Sequence, residues 1–231
     1  MKQAPYYQDD LVTLYHGDCR EIAAWLEADV LITDPPYGID YQSGRPRDSL
    51  AASITGDKDT QVRDAILVLW GQRPALVFGT WRMPRPPNVQ ARLIWDTKGA
   101  LGMGDTSLPW KPSDQEIYVI EHEEIYVLGH TTKKGFVGRR DSNVITCAPV
   151  QSMGSNGRVH PHEKPVALLA ALILKSPPGV IADPTAGSGS LGVAAKMLGR
   201  RAILVEEQER YCELAAKRLA NADALPFGEA S

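Results

Sequence analysis

An acidic and aromatic segment directly after an apolar run is the first part of the chain that could do chemistry. Residues 30–38 read VLITDPPYG, so a buried strand should break off into Asp34, Pro35, Pro36 and Tyr37. Proline supplies no backbone donor and restricts the preceding residue to extended conformations, so the chain should leave the sheet rigidly. Ligands bind at this carboxyl edge in open α/β sheets. Asp-Pro and Pro-Pro also form ordinary turns, but the aromatic residue that follows them favours a functional site.

The chemistry that fits this segment is attack by an exocyclic amine of a nucleobase. Such an amine is a poor nucleophile because its lone pair is delocalised into the ring. The Asp34 carboxylate and the Pro35 carbonyl can accept the amine hydrogens, which localises the lone pair for direct displacement at a methyl group. Tyr37 offers a face to a base extruded from a duplex, and such stacking contributes about 1 to 3 kcal/mol per base. This gain offsets much of the cost of flipping the base.

A glycine-rich loop is the second candidate site. Residues 183–190 read DPTAGSGS after an apolar run and before a helical pattern, and Gly187 opens a G-x-G-x-x-G spacing. Glycine lets the backbone approach a ligand closely, although tight helix–strand packing also demands small residues. Glu206 ends the next predicted strand, where a carboxylate accepts hydrogen bonds from ribose hydroxyls. An adenosine-containing cofactor is predicted, either a nicotinamide dinucleotide of an oxidoreductase or S-adenosylmethionine.

Short apolar runs alternate with helical patterns along the chain and predict an α/β sheet that positions both candidate sites. Strands are expected at 11–15, 30–33, 75–78, 92–95, 116–120, 124–128, 180–183 and 202–206. Helices are expected at 20–27, 61–70, 164–174, 191–198 and 208–220. The sequence EIYVIE at Glu116 echoes EIYVLG at Glu124, which is either a hairpin with a chance echo or a local duplication.

Length, composition and net charge limit the classes of protein to which the chain can belong. A chain of 231 residues with 43% hydrophobic content can bury one core, so a single domain spanning 1–231 is expected. The longest apolar run, Val166 to Leu174, is about half of what a membrane span needs, which predicts a cytoplasmic protein with no membrane partner. Three distant cysteines without a CxxC pair, and an HxH at His160 and His162 without a third ligand, predict no metal site. The net charge of −3 means that any nucleic-acid contact must come from local basic patches.

The two motifs together resemble a known family. DPPY at 34–37 with DPTAGSG at 183–189 is similar to the amino-methyltransferases of DNA that act on adenine N6 or cytosine N4. The catalytic motif precedes the glycine loop, as in the permuted group often called the beta class, in which a HPxxKP segment stands before the loop. Residues 160–165 read HPHEKP here. The resemblance implies a Rossmann-like methyltransferase fold with circularly permuted motif order, S-adenosyl-L-methionine as cofactor and double-stranded DNA as substrate.

The resemblance also assigns roles to individual residues. It implies that Asp34, Pro35, Pro36 and Tyr37 are catalytic, that Glu206 holds the ribose and that Asp18 contacts the cofactor's adenine. The cofactor-binding set that it implies is Asp18, Cys19, Lys164, Asp183, Thr185, Gly187, Gly189 and Glu206. Lys164 belongs to a segment that closes over the methionine end of the cofactor. Two residues depart from the family pattern: Thr185 replaces the usual aromatic residue or cysteine, and Ser190 stands where threonine is common. These departures put the affinity for the cofactor in doubt, but they do not remove the site.

Basic residues are the candidates for contact with DNA phosphates, which position a duplex without specifying its sequence. Solvated loops are the alternative interpretation of each cluster. The predicted set comprises Arg45, Arg47, Lys133, Lys134, Arg139 and Arg140, and a further pair, Arg82 and Arg85, flanks a proline-rich turn. By resemblance, residues 96–159 form an inserted DNA-recognition region. The part of it that reads the sequence, about 129–159, is short. We therefore expect a short recognition sequence, a recognition role shared with residues 95–110, or recognition completed by a second subunit.

Adenine N6 is the predicted target, because Asp at the first catalytic position is typical of adenine enzymes and Ser of cytosine enzymes in this family. Methylation of cytosine N4 by the same mechanism is the alternative. A nicotinamide-dependent oxidoreductase would leave DPPY and HPHEKP unexplained. Homodimer formation and a companion restriction endonuclease stay open.

Overall fold

The computed structural model describes residues 3–39, 56–98, 107, 109–110, 113–120, 124–127, 130–133, 135–150 and 163–222. Its strands are β1 (Tyr7–Gln8), β2 (Val12–His16), β3 (Val30–Thr33), β4 (Ala75–Gly79), β5 (Val89–Asp96), β6 (Asp114–Ile120), β7 (Glu124–Val127), β8 (His130–Lys133), β9 (Val144–Thr146), β10 (Ile181–Asp183) and β11 (Ala202–Glu206). Its α-helices are α1 (Gln61–Trp70), α2 (Val166–Lys175), α3 (Ser190–Met197) and α4 (Glu209–Ala220), and a 3₁₀ turn covers Ala24–Glu27.

Nine of the described strands form one sheet in the order β1-β2-β11-β10-β3-β4-β6-β5-β9. The central strands β2, β11, β10, β3 and β4 are parallel to one another, whereas β1 is antiparallel to β2 and β6 runs antiparallel between β4 and β5. Strands β7 and β8 pair only with each other among the described residues. Strands β6 and β9 belong to the main sheet although they lie within the range 96–159 that the sequence predicted as an insertion.

Helices cover both faces of the sheet, which explains why the parallel strands are apolar on both sides. In β3, Val30 and Ile32 face a core shared with α2, α3 and α4. Leu31, between them, faces a second core that contains Trp25 and Trp70, whose rings stack at 5.9 Å. The predicted α/β class is therefore confirmed as a three-layer arrangement with the sheet in the middle.

One predicted helix and one of the two interpretations of the echoed strands were wrong. Instead of the helix expected at 20–27, the structure has only the 3₁₀ turn, because Asp18 bonds the backbone at the start of this segment. The Asp18 carboxylate accepts a hydrogen bond from Arg20 N at 2.8 Å, and the Asp18 carbonyl accepts one from Glu21 N at 3.0 Å. Such side-chain bonding offers the backbone an alternative to a helix. The hairpin interpretation of the echoed segments is also wrong, because β6 is already paired with β4 and β5 on its two edges and β7 pairs with β8.

The remaining predicted elements are confirmed to within a few residues, and α1 and β3 have the predicted bounds. In the described part of the chain, no helix combines the length and apolar character that crossing a membrane requires. Since β2, β3, β10 and β11 are parallel, their carboxyl ends meet at one edge of the sheet. Both candidate motifs begin at that edge.

Candidate active site

The carboxyl ends of four neighbouring strands supply the site. Asp34 follows β3, Asp183 ends β10, Glu206 ends β11, and Asp18 lies just beyond β2. Two adjoining clefts open at this edge, and Thr185 and Gly187 line both of them. We name them the Glu206 cleft and the Asp34 cleft.

The Glu206 cleft has a cavity volume of about 140 Å³ and is open to solvent at its mouth. Predicted residues that line it are Asp18, Cys19, Pro36, Thr185, Gly187 and Glu206. Glu206 is only 8% exposed, and its carboxylate accepts from the backbone N–H of Gly187 and of Gln208, each at 2.8 Å. Burial raises the pKa of Glu206. Two backbone donors thus fix this carboxylate at the wall of the cleft, with further acceptor capacity left for a ligand.

Asp18 and Cys19 lie at the other wall of the Glu206 cleft. Asp18 forms an ion pair with Arg20 at 2.5 Å, and this contact lowers the pKa of Asp18. Burial raises the pKa of the Cys19 thiol to about 12. Cys19 is therefore a steric lining group and not a reactive thiol.

The Asp34 cleft has a cavity volume of about 40 Å³ and is lined by Asp34, Phe78, Lys164, Asp183 and Ser188 among others. Asp34 Oδ1 accepts from the hydroxyl of Tyr37 at 2.7 Å, and Asp34 Oδ2 is ion-paired with Lys164 Nζ. Lys164 is 5% exposed, donates to the Tyr37 hydroxyl at 3.2 Å and lies 4.9 Å from the centre of the Phe78 ring. The predicted catalytic carboxylate and the predicted lysine are thus in direct contact.

Tyr37, a predicted catalytic residue, is absent from the lining of both clefts, but its hydroxyl is held beside Asp34. Besides Asp34, its hydroxyl lies 3.3 Å from Gln115 Oε1 of β6. Burial and the neighbouring Asp34 carboxylate raise the pKa of Tyr37 well above its ordinary value. Tyr37 therefore stays a neutral donor at any physiological pH.

Asp183 lies behind the glycine loop. Thr33 Oγ1 donates to its carboxylate at 2.9 Å, and Thr185 N donates at 3.2 Å. Burial raises the pKa of Asp183 to about 7. The group therefore titrates near neutral pH, unlike an ordinary carboxylate.

A second ion pair anchors the segment that carries Lys164. Arg218 of α4 pairs with Glu163 at 2.9 Å and also donates to Ser188 Oγ at 2.7 Å. The residue before Lys164 is thereby tied to the glycine loop. Sequence reasoning missed Arg218, and also Thr33, Phe78 and Gln115, which contact the predicted residues; only Thr33 could have been suspected, since it adjoins Asp34 at the strand end.

Some predicted residues do not line either cleft. Gly189 begins α3 with a φ of 76°, and a Cβ there would lie 2.8 Å from Ala215 Cβ, so close packing against α4 explains this glycine. Pro35 is buried directly after β3. His160 and His162 lie outside the described residues.

The predicted DNA contacts are not brought together at this edge. Lys175, at the carboxyl end of α2, pairs with Asp141 at 2.6 Å and donates to the Arg139 carbonyl, so Arg139 and Arg140 lie near that helix end. Lys164 precedes the other end of α2, ten residues or about 15 Å away along the helix. Arg45, Arg47 and Lys134 lie outside the described residues, and for Lys133 only the backbone is described.

Comparison with known proteins shows the family to which the chain belongs. The profile of a DNA methylase family, N6_N4_Mtase, matches residues 28–217, which is most of the chain. The chain belongs to this DNA methylase family. It is an enzyme of the group that methylates DNA at adenine N6 or cytosine N4.

Curated relatives agree with this membership. The chain is 30% identical over 217 residues to YubD of Escherichia coli (strain K12), a protein provisionally named a methylase, with 88% of each chain covered. It is 23% identical to the type II methyltransferase M2.MboI of Moraxella bovis, over 94% of this chain and 92% of the relative. This DNA methylase therefore spans nearly the whole length of both.

Solved structures show the same fold. A complex of M1.HpyAVI with S-adenosylmethionine matches with a TM-score of 0.62 and 19% identity, covering 90% of this chain and 99% of that one. The PvuII DNA methyltransferase, which is specific for cytosine N4, matches with a TM-score of 0.67 and 14% identity over 94% and 89%. These likenesses confirm the methyltransferase fold of this methylase.

Proposed function

We propose that this methylase transfers the methyl group of S-adenosyl-L-methionine to N6 of adenine in double-stranded DNA. The observation that carries the proposal is the junction of the two clefts at Thr185 and Gly187. One cleft carries a buried carboxylate at the end of β11, and the other carries Asp34. A cofactor lying across the junction would have its nucleoside at one end and its reactive group beside Asp34.

The residues present fit this cofactor. Glu206 offers acceptor capacity to ribose hydroxyls, and the Asp18 carboxylate at the opposite wall suits an adenine amine. At the other end of the junction, Lys164 and Asp183 can meet the carboxylate and the ammonium group of an amino acid. When bound, the cofactor supplies an electrophilic methyl group. Its presence in the M1.HpyAVI complex supports the assignment.

In the proposed reaction, Asp34 and the Pro35 carbonyl accept hydrogens from the base amine and so localise its lone pair. The hydroxyl bond between Tyr37 and Asp34 fixes both side chains relative to each other. The Tyr37 ring is the proposed stacking surface for the extruded base. The protein contributes orientation and electrostatics, and no covalent enzyme intermediate is required.

Asp34 supports adenine as the target, because Asp at this position is typical of adenine enzymes in the family. Methylation of cytosine N4 is the second candidate, since the PvuII enzyme with the same fold is specific for that base. Both amines are conjugated to a ring, so the site chemistry fits either.

We further propose that target recognition lies in the parts of 96–159 outside β6 and β9, because those two strands belong to the main sheet. A recognition region this short would read a short sequence or complete the recognition surface with a second copy.

The test is transfer of labelled methyl from S-adenosylmethionine to unmethylated duplex DNA, followed by nucleoside digestion and mass analysis. N6-methyladenine is the expected product. N4-methylcytosine would retain the mechanism and overturn the choice of base. Absence of any methylated nucleoside across a library of duplex sequences, with the cofactor demonstrably bound, would overturn DNA as the substrate of the isolated chain.

A further inference from the structure

Both carboxylate oxygens of Asp34 are occupied in this structure. Oδ1 accepts from the Tyr37 hydroxyl, and Oδ2 holds the Lys164 ammonium group. A base amine that donates to Asp34 must displace one of these partners or share an oxygen with it. In this structure the base amine would therefore meet a carboxylate whose charge Lys164 already compensates.

Lys164 is the partner that can leave. Tyr37 follows Asp34 by three residues within a segment stiffened by two prolines, so their contact is local. Lys164 approaches from the far segment, 130 residues away, on a flexible four-carbon side chain. A small rotation of that side chain would free Asp34 Oδ2 without moving the backbone.

A buried ammonium group cannot leave its partner without gaining another, because an unpaired buried charge is strongly unfavourable. The neighbouring carboxylates have other contacts: Glu163 is paired with Arg218, and Asp183 accepts from Thr33 and Thr185. Lys164 lines the Asp34 cleft, where the amino-acid end of the proposed cofactor would lie. An incoming carboxylate is thus the natural replacement partner.

We infer that Lys164 is a positioning residue that exchanges Asp34 for the carboxylate of the bound cofactor, so that cofactor binding frees Asp34 to receive the base. The inference rests on the proposed cofactor and goes beyond it, because it makes Asp34 and the cofactor compete for one cation. It follows that removal of the Asp34 charge strengthens cofactor binding.

The competition can be measured without DNA and without turnover, by calorimetric titration with a matched pair of ligands. S-adenosylhomocysteine carries the amino-acid end, and 5′-methylthioadenosine has the same thioether nucleoside without it. Asp34→Asn should tighten S-adenosylhomocysteine binding about fivefold or more, which corresponds to about 1 kcal/mol. Its affinity for 5′-methylthioadenosine should not change.

A double-mutant cycle separates exchange from simple repulsion between two anions. In a Lys164→Met background, Asp34→Asn should give no gain, because the cation for which the two carboxylates compete is absent. Lys164→Met alone should weaken S-adenosylhomocysteine binding but not 5′-methylthioadenosine binding, and Lys164→Arg should restore part of the difference. Thermal melting of each variant checks that it is folded, and Lys164→Gln replaces Lys164→Met if the latter does not fold.

Equal affinity of the wild type and Asp34→Asn for S-adenosylhomocysteine would overturn the exchange. A gain that persists in the Lys164→Met background would overturn it as well, since repulsion alone would then explain the effect. Failure of the wild type to bind either ligand would instead overturn the proposed cofactor, and the exchange with it.

Discussion

Asp34 carries the sharpest expectation at the level of single residues. Asp34→Ala should abolish methyl transfer while cofactor binding is retained or strengthened, because the carboxylate serves the base amine. The measurement pairs methyl transfer with calorimetric titration of S-adenosylhomocysteine. Asp10→Ala is the matched control, since Asp10 is an exposed carboxylate at the turn before β2 and far along the strand from the site. Turnover by Asp34→Ala at a rate near that of the control would remove Asp34 from the mechanism.

Asp183 should make stability depend on pH. Its pKa in the folded protein is about 7, against an ordinary value of 3.8. Between these values the unfolded chain ionises while the folded chain keeps its proton, so the contribution of Asp183 to stability falls as pH rises through this window and stays low above it. Asp183→Asn removes this penalty, and its amide oxygen can accept the bonds from Thr33 and Thr185.

Urea unfolding of cofactor-free protein at pH 5 and pH 8 measures the effect. Asp183→Asn should be stabilising relative to the wild type at pH 8, by an amount on the order of 1 kcal/mol or more, and clearly less so at pH 5. A difference between variant and wild type that is the same at both pH values would show that Asp183 does not titrate in this range.

Individual site residues were predictable where a local pattern marks them. The position of Asp34 to Tyr37 and of Glu206 at the carboxyl edge was predicted because each follows or ends a buried strand. The contacts between distant residues were not predicted, because the ion pair of Lys164 with Asp34 and the bond of Thr33 to Asp183 join residues 130 and 150 positions apart. Such contacts depend on strand order, which single-residue patterns do not contain.

The start of helix α3 permits a test at the level of elements. Gly189 has a φ of 76° and leaves no room for a Cβ, which would lie 2.8 Å from Ala215 Cβ of α4. Gly189→Ala should destabilise the fold by about 1 to 3 kcal/mol more than a glycine whose Cβ would be free, because it adds overpacking to backbone strain. Gly138→Ala is the control, since Gly138 also has a positive φ, 92°, and the nearest atom to its added Cβ, Lys175 Nζ, lies at an ordinary contact distance of 3.9 Å.

Chemical unfolding of both variants gives the comparison. Equal losses of stability in the two variants would mean that backbone strain alone explains the requirement for glycine at 189. Helices α3 and α4 would then be able to move apart at this point without a loss of stability.

Helices and strands were predicted correctly where their packing in the fold agrees with the local hydrophobic pattern. Strand β3 is buried along its length between two helical layers, so its continuous apolar run has one interpretation. It failed at 20–27, where the Asp18 side chain bonds the backbone that a helix would need. Strand β6 itself was predicted, but its hairpin with the next strand in sequence was not formed, because its neighbours are β4 and β5.

For the whole molecule, the order of the motifs along the chain matters less than the order of the strands in the sheet. Strand β10 pairs with β3 in parallel register, so the glycine loop after β10 lies beside the catalytic segment after β3 although 150 residues separate Asp183 from Thr33. The two motifs therefore meet at one edge of the sheet although they lie far apart in the sequence.

The same topology predicts which basic side chains meet DNA. Strand β4 is parallel to β3, so Trp81 and Arg82, just beyond Gly79, lie at the active-site edge, and Trp81 is 74% exposed. Arg139 and Arg140 lie by the far end of α2, on the opposite edge. With a net charge of −3, the chain depends on local cations for phosphate contacts.

Arg82→Ala should therefore weaken duplex binding at low salt and reduce the slope of log affinity against log salt by about one, the amount expected for one phosphate contact. The double change of Arg139→Ala with Arg140→Ala, which removes twice the charge, should leave the slope unchanged. Fluorescence anisotropy of a labelled duplex over a series of salt concentrations measures both. The reverse result would be a loss of duplex affinity confined to the double variant of Arg139 and Arg140. It would mean that DNA approaches the far edge of the sheet, which is one length of α2, about 15 Å, away from the Asp34 edge. A base flipped there could not reach Asp34, so the proposed route of the target base into the Asp34 cleft would fail with it.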